Sequence, residues 1–363
     1  MATVFLAKGH GWVKPMFLFN KKKILALDVG SATIKMAELD SARSRATLLA
    51  FGVAPTPPNS FASGDIVNPQ AIADTIRALA AQIQTKRTHV ATALSGTSVM
   101  VKKVTIPRID EKLIPEQIRW EAEQYIPYDI NEVNLEYEVL KSNSSPESMD
   151  LLLVAAIQGH VFKYAEAISL AGFNCAVLDV TGFALANCFK ANYGDLEGQS
   201  VALLNLGATS ATMVVLDNKE VVFSRDIPVG GMNYTTDLQK GLNISQQEAE
   251  AIKLSVGKDK ATPADAQDIL SATSDVLADE IKASFDFYLN SANAHTVTRC
   301  FVTGGASRTV GLLERLNKIV SCEPLDPFLS IKVNPKSFAP SYIDQIRDLA
   351  AVAIGLGLRA VED

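Results

Sequence analysis

Two stretches of the chain combine residue types suited to holding an anion. One is "ILALDVGSATIKMAELD" (Ile24–Asp40) and the other is "VALLNLGATSATMVVLD" (Val201–Asp217). Each passes from an apolar strand through an Asx residue and a glycine into small hydroxyl residues, then into a second apolar strand. A hairpin with glycine at its turn offers successive backbone N–H groups with no Cβ in the way. Two such turns from two similar halves would clamp one polyphosphate between them. Asp28 would hold a magnesium ion, directly or through water, since hard oxygen ligands suit it. Lys35 would reach the phosphates as a point charge.

At an offset of 177 residues Gly30 falls on Gly207, Met36 on Met213, Leu39 on Leu216, Asp40 on Asp217, and Asp28 on Asn205. An echo of this kind points to internal duplication. Either hairpin alone reads equally well as part of a core sheet. The third glycine turn, "VTGGAS", decides for nucleotide: it follows a buried strand, where glycine costs about 0.5–1 kcal/mol unless the backbone needs it. No Walker GKS or GKT and no Rossmann GxGxxG accompanies these turns.

The elements that must carry these turns follow from periodicity. "KILALDVG" and "ATIKMAEL" read as strands, and "APTPPNSFASGDIVNP" as a loop. "QAIADTIRALAAQIQ" (Gln70–Gln84) has the spacing of an amphipathic helix. The stretch from Thr97 to Ala176 reads strand–helix–strand–strand–helix–strand, a small α+β insert that includes the loop "SNSSPES" and the strand "LLLVAAI". A second unit starts at Val201 with a hairpin turning at Asp217-Asn218. The region from Ser245 to Asn290 is mostly helical. "RCFVTGGAS" is a strand ending in the glycine pair, "RTVGLLERLNKIV" a helix, and "SYIDQIRDLAAVAIGLGLRA" a last helix suited to close packing.

Composition sets limits. The 363 residues suggest two or three domain-sized units, and 48% are hydrophobic. A net charge of -6 argues against nucleic acid as a partner. Cys175, Cys188, Cys300 and Cys322 lack CxxC spacing, and the four histidines lack metal-binding spacing, so buried thiols in a reducing compartment are expected. No run approaches the roughly 20 apolar residues of a membrane helix. The first 23 residues make a poor signal peptide. A cytoplasmic location follows as the expectation, with any membrane attachment made through a partner.

The order of an Asp-x-Gly turn, a second glycine hairpin, "VTGGAS" and "AVAIGLGLR" resembles the actin-like ATPase superfamily. "IRWEAEQYIPYDINEVNLEYEVL", "VLDVTGFALANCF", "FSRDIPVGGMNYTTDLQKGLNISQQEAEAIK" and "EIKASFDFYL" resemble, more narrowly, the PilM family of type IV pilus assembly proteins, from about Met16 to Arg359. The resemblance implies an α/β, actin-like (RNase H-like) two-lobed ATPase fold, similar to the cell-division protein FtsA. It carries an FtsA-type 1C insert and a helical subdomain on the second lobe. The expected divisions are an N-terminal extension at 1–23, a first lobe at 24–96, the 1C-type insert at 97–176 and a return to the first lobe at 177–200. The second lobe takes 201–244, its helical subdomain 245–298, a return 299–338, and a C-terminal helix on the first lobe 339–363.

By the same resemblance ATP and magnesium bind between the lobes. Asp28, Gly30, Ser31, Ala32, Thr33 and Lys35 would form the first phosphate site, with Asn205, Gly207, Ala208 and Thr209 as the second. Glu250 and Lys253 would flank ribose and adenine, although their spacing also suits a solvated helix pair. Gly304, Gly305 and Ala306 would support the adenosine. Asn205 stands where many relatives carry Asp, which puts hydrolysis in doubt and leaves binding intact. Asp179 would position the attacking water, or else cap the following helix.

The expected partner is the cytoplasmic N-terminal tail of PilN, held in a groove between the first lobe and the insert. PilO and other platform proteins follow indirectly on the cytoplasmic face of the inner membrane, and a homodimer is compatible with the fold. Met16 is the expected natural start, and "MFLF" before "KKK" would touch a membrane surface only weakly. Two alternatives stand beside this reading: an FtsA-like filament-forming division protein, and a small-molecule kinase on the same scaffold.

Overall fold

The computed structural model describes residues 23–42, 45–96, 99–140, 145–194, 198–255, 264–291 and 294–359. The expectations about residues 1–22, including Met16 and the "MFLF" segment, lie outside the described residues, as do positions 142–144 of the "SNSSPES" loop.

The first lobe opens with an antiparallel meander of β1 (Leu25–Val29), β2 (Thr33–Ala42) and β3 (Arg45–Pro55). A short hairpin, β4 (Phe61–Ala62) and β5 (Asp65–Ile66), lies within the expected loop and leads to α1 (Pro69–Gln82) and β6 (His89–Leu94). Helix α1 begins where its chemistry dictates: the Asn68 side chain accepts from the Ala71 N–H, and Pro69 occupies the first turn. The insert follows as β7 (Val99–Pro107), α2 (Ile114–Glu123), β8 (Val133–Val139) and β9 (Ser148–Ile157), an antiparallel sheet in the order β7-β9-β8. The chain then re-enters the first lobe through α3 (Gln158–Leu170), β10 (Asn174–Val180) and α4 (Thr181–Tyr193).

The second lobe contains β11 (Ser200–Leu206), β12 (Ala211–Asp217) and β13 (Glu220–Ile227), then α5 (Gly231–Leu242), α6 (Gln246–Ser255) and α7 (Ala264–Leu289). It closes with β14 (Val297–Thr303), α8 (Leu312–Leu316) and β15 (Cys322–Pro324). Strand β16 (Lys332–Val333) and helices α9 (Pro340–Ile346) and α10 (Ala351–Leu358) complete the chain's described elements. The main sheets run β10-β6-β1-β2-β3-β16 and β13-β12-β11-β14-β15.

The echo in the sequence is a topological repeat. Strand β1 lies between antiparallel β2 and parallel β6, and β11 lies between antiparallel β12 and parallel β14. Even the register repeats at the offset of 177: Asp28 pairs with Lys35 across β1 and β2, and Asn205 pairs with Thr212 across β11 and β12.

Four boundaries differ from expectation. The insert ends at Ile157 rather than at 176, because β10 pairs with β6 in the first-lobe sheet and α3 packs on α1. The 299–338 segment includes β16, which pairs with β3 of the first lobe. The expected helix after the glycine pair is a 3-10 turn, Gly305–Arg308, followed by the short α8, because Gly311 adopts a left-handed conformation just before it. The final helix is broken between α9 and α10 by a 3-10 turn at Arg347–Leu349.

Helix α10 (AVAIGLGL) is buried throughout and packs on α4, β1 and β2. Its small residues allow backbone-to-backbone approach: a Cβ on Gly355 would stand 1.7 Å from the Ala184 carbonyl oxygen of α4. The two lobes share this core. Phe301 of β14 inserts beside Phe189 and Tyr193 of α4, with ring centroids 4.7 and 4.8 Å away. Gly355→Ala is expected to cost about 3 kcal/mol or more, because the clash is with backbone and no rotamer relieves it. Denaturant unfolding of the variant checks this.

Candidate nucleotide cleft

A cavity of about 480 Å³ lies between the lobes, within the range of about 300–1,000 Å³ usual for small-molecule sites. Both glycine hairpins and the third glycine turn open into it.

Each hairpin turn is closed by the same bond. The Gly30 N–H donates to the Thr33 carbonyl at 3.1 Å, and the Gly207 N–H donates to the Ser210 carbonyl at 3.0 Å. Outside partners hold the turns in place. The Thr56 hydroxyl donates to the Gly30 carbonyl at 2.6 Å. The first N–H groups of α5, at Gly231 and Met232, donate to the Gly207 and Ala208 carbonyls at 2.9 and 2.7 Å. The turns meet across the cleft, where the Ser31 and Thr209 hydroxyl oxygens are 3.0 Å apart.

The two jaws differ in charge. Lys35 Nζ donates to Asp28 Oδ2 at 3.0 Å, a pair with only 13% and 17% of its side-chain surface exposed. The matching positions in the second lobe, Asn205 and Thr212, are neutral. Among the described residues no group of three His, Cys, Asp or Glu side chains gathers to cage a metal. That donor set fits magnesium only as an ion carried by the nucleotide: one carboxylate, Asp28, and the phosphates themselves as ligands.

The opposite end is built around Gly304. Its φ of 94° lies in the left-handed region, and a Cβ there would come within 2.3 Å of the Leu206 carbonyl oxygen. The break in the last helix supports this turn: the Asp348 carbonyl accepts from the Gly304 N–H at 2.7 Å and from the Thr303 hydroxyl at 3.0 Å. Gly305 and Ala306 follow in the 3-10 turn and line the cavity. Glu250 and Lys253 line it too and are more than a solvated pair. Lys253 Nζ donates to Glu250 Oε2 at 2.7 Å, to the Gly231 carbonyl at 3.1 Å and to the Thr235 hydroxyl at 3.0 Å.

Ser31, Ala32, Thr33, Ala208 and Thr209 also line the cavity, so every residue named for the two phosphate sites and the adenosine site meets there. Asp179 does not. Its side chain is fully buried, Arg359 donates to both its oxygens at 2.6 and 2.7 Å, and the Val180 N–H donates to Oδ1 at 2.8 Å. Helix α4 has no side-chain cap. Asp179 therefore neither faces the cleft nor caps the helix by its side chain; it ties β10 to the end of α10. Nothing in "VLDVTGF" reveals a partner 180 residues away.

Sequence reasoning missed Arg308, Leu254, Tyr164 and Leu349, all of which line the cavity. Arg308 Nε donates to Asp348 Oδ2 at 2.7 Å, which fixes the guanidinium beside the Gly304 turn. Its place in "GGASR", right behind the glycine pair, was the available signal. Asp226 was missed as well. It bridges the lobes beneath the cavity, accepting from the Thr212 hydroxyl at 2.5 Å and from the Gly96 N–H at 2.6 Å. Burial pushes its carboxyl up to about 6 against the pull of these two donors.

With this geometry in place, comparison with known proteins is informative. The family model for the type IV pilus assembly protein PilM matches residues 26–361. The chain belongs to the PilM family. A solved PilM-PilN type IV pilus biogenesis complex contains a similar chain, with a TM-score of 0.86 and 29% identity over 95% of this chain and 100% of that one. The ethanolamine utilization protein EutJ from Carboxydothermus hydrogenoformans shares the fold, with a TM-score of 0.54 and 15% identity over 94% of this chain and 90% of that one. The cell division protein FtsA of Bacillus subtilis is 40% identical over 63 residues, which is 17% of this chain and 14% of that protein. The fold of this PilM-family chain is the actin-like, FtsA-like one expected from the sequence.

Asp226 yields a pH dependence with a definite sign. A carboxyl whose pKa is raised on folding holds its proton more tightly in the native state. Its contribution to stability is full below the unfolded value and is lost as pH rises through about 6. Asp226→Asn keeps an acceptor for Gly96 and a partner for Thr212 without the charge. The variant is expected to be more stable than the wild type at pH 7.5 by on the order of 2 kcal/mol. The gap should close by about pH 4, as denaturant midpoints at the two pH values will show.

Proposed function

We propose that this PilM-family protein binds ATP with magnesium in the interlobe cleft and binds the cytoplasmic N-terminal tail of PilN beside the insert. One observation carries the nucleotide reading: two glycine turns from duplicated lobes meet at 3.0 Å across a cavity that ends at a third glycine turn. In this arrangement the turn N–H groups and Lys35 face the phosphates, while Arg308, Glu250 and Lys253 enclose the nucleoside. Magnesium bound with the phosphates would neutralise part of their charge beside Asp28.

Hydrolysis is slow in this reading. Asp179 is spent on Arg359, and Asn205 brings no charge to the second jaw. The chain then acts as a nucleotide-dependent binding module and not as a kinase, which needs a carboxylate base facing the acceptor. The PilN assignment rests on the match to a PilM-PilN complex along nearly the whole chain. It favours a place in the inner-membrane platform of the pilus over a division filament, with PilO and other platform proteins reached through PilN. No helix among the described residues is long and apolar enough to cross a membrane, which fits attachment through a partner.

Calorimetry with Mg-ATP is expected to show one site per chain. Gly305→Val suits the test because a Cβ at Gly305 meets only the Leu349 Cδ2 at 3.4 Å, so the fold tolerates it while the added methyls enter the cavity. ATP affinity should fall by roughly tenfold or more; unchanged affinity would contradict the site. A peptide copying the PilN N-terminal tail should bind the purified chain saturably. Capture of a division-ring protein without the tail would favour the FtsA-like alternative.

A further inference from the structure

On the first lobe's side, the wall of the cavity also takes in Phe61 and Gly64 of the β4–β5 hairpin and Tyr164 of α3. Tyr164 is only 4% exposed, yet its hydroxyl has no hydrogen-bond partner among the described residues and lies at the cavity. Burial, then the charges of Asp28 and Asp65, push its pKa well above the usual tyrosine value. At neutral pH it is a protonated donor beside Asp28, the carboxylate of the first phosphate jaw. The residue lines the cavity, where an anionic ligand in a filled cleft supplies an acceptor in place of water.

The same helix reaches the insert. At the start of α3 the Gln158 side chain donates to the Asn131 and Val133 carbonyls at 3.1 and 3.3 Å, and its N–H donates to the Glu132 carbonyl at 2.9 Å. Next to Tyr164, Lys163 pairs with Asp65 of β5, so α3 is also anchored to the hairpin that walls the cleft. One helix of 13 residues thus touches the cavity and the loop entering β8 of the insert.

We propose that Tyr164 distinguishes a nucleoside triphosphate from a diphosphate in this cleft, and that α3 carries the difference to the insert. The inference rests on the nucleotide reading above. The hydroxyl donates to the terminal phosphoryl group; a diphosphate lacks that group and leaves the hydroxyl to water. Because coupling is reciprocal, whatever binds the insert in its triphosphate arrangement raises triphosphate affinity by the same factor.

The test uses the full chain. Mg-ATP and Mg-ADP are titrated calorimetrically into the wild type and Tyr164→Phe, which keeps the ring and removes one oxygen. The variant should lose about tenfold in ATP affinity, the worth of a hydrogen bond to a charged group, with ADP affinity changed less than about twofold. An unchanged ratio of ATP to ADP affinity overturns the assignment of Tyr164. Hydrogen exchange then reads the second half: in the wild type, backbone N–H groups at 131–133 should differ between the ATP and ADP complexes. Gln158→Ala should abolish that difference while keeping ATP affinity. No difference in the wild type overturns the role of α3. Failure of the wild type to bind either nucleotide contradicts the nucleotide reading itself, which separates the two failures.

Discussion

The cleft depends on one constraint: two hairpin turns from separate lobes must stand within hydrogen-bonding distance of each other. Ser31 and Thr209 meet this condition at 3.0 Å. A hydroxyl pair of this kind contributes only about 1 kcal/mol and cannot by itself set the spacing of the lobes. The spacing is set behind the cleft. Helices α4 and α10 pack backbone against backbone at Gly355, and Phe301 from the second lobe joins Phe189 and Tyr193 in the first-lobe core. The same α10 follows the helix break whose Asp348 carbonyl holds the Gly304 turn. Packing of small and aromatic side chains thus fixes the distances on which the polar chemistry relies.

Charge is distributed unequally over this nearly symmetric frame. The first jaw carries the buried Asp28–Lys35 pair, and the second carries Asn205 and Thr212 in the same register. Thr212 is held by Asp226, a carboxylate that also accepts from Gly96 of the first lobe and so bridges the two halves without a cation. The cations at the cavity each stand in an ion pair: Lys35 with Asp28 on the first jaw, Lys253 with Glu250, and Arg308 with Asp348 beside the Gly304 turn. The second hairpin turn contributes backbone shape and no charge at Asn205 and Thr212; the charged groups of its lobe, Lys253 and Arg308, stand on α6 and behind the Gly304 turn.

Much of this was legible in the sequence because duplication leaves a local trace. The offset between Gly30 and Gly207 is reproduced by strand register, since a hairpin's turn and its cross-strand pairs are set by nearby residues. The limits appear where partners are distant. Asp179 sits in an Asp-Val-Thr-Gly context that suits a cap or a catalytic acid, and only the fold brings Arg359 to it. Helix α3 and strand β10 have the periodicity of insert elements, and sheet order alone assigns them to the first lobe. Arg308 and Asp348 meet through a helix break that the apolar pattern of residues 341–358 conceals.

The central claim is that all three glycine turns grip one nucleotide at once. Amide hydrogen exchange of the full chain with and without Mg-ATP tests it directly. Residues 30–33, 207–210 and 304–306 should gain protection together at the same ATP concentration. Protection confined to one lobe, or none at any of the three turns, would contradict the account.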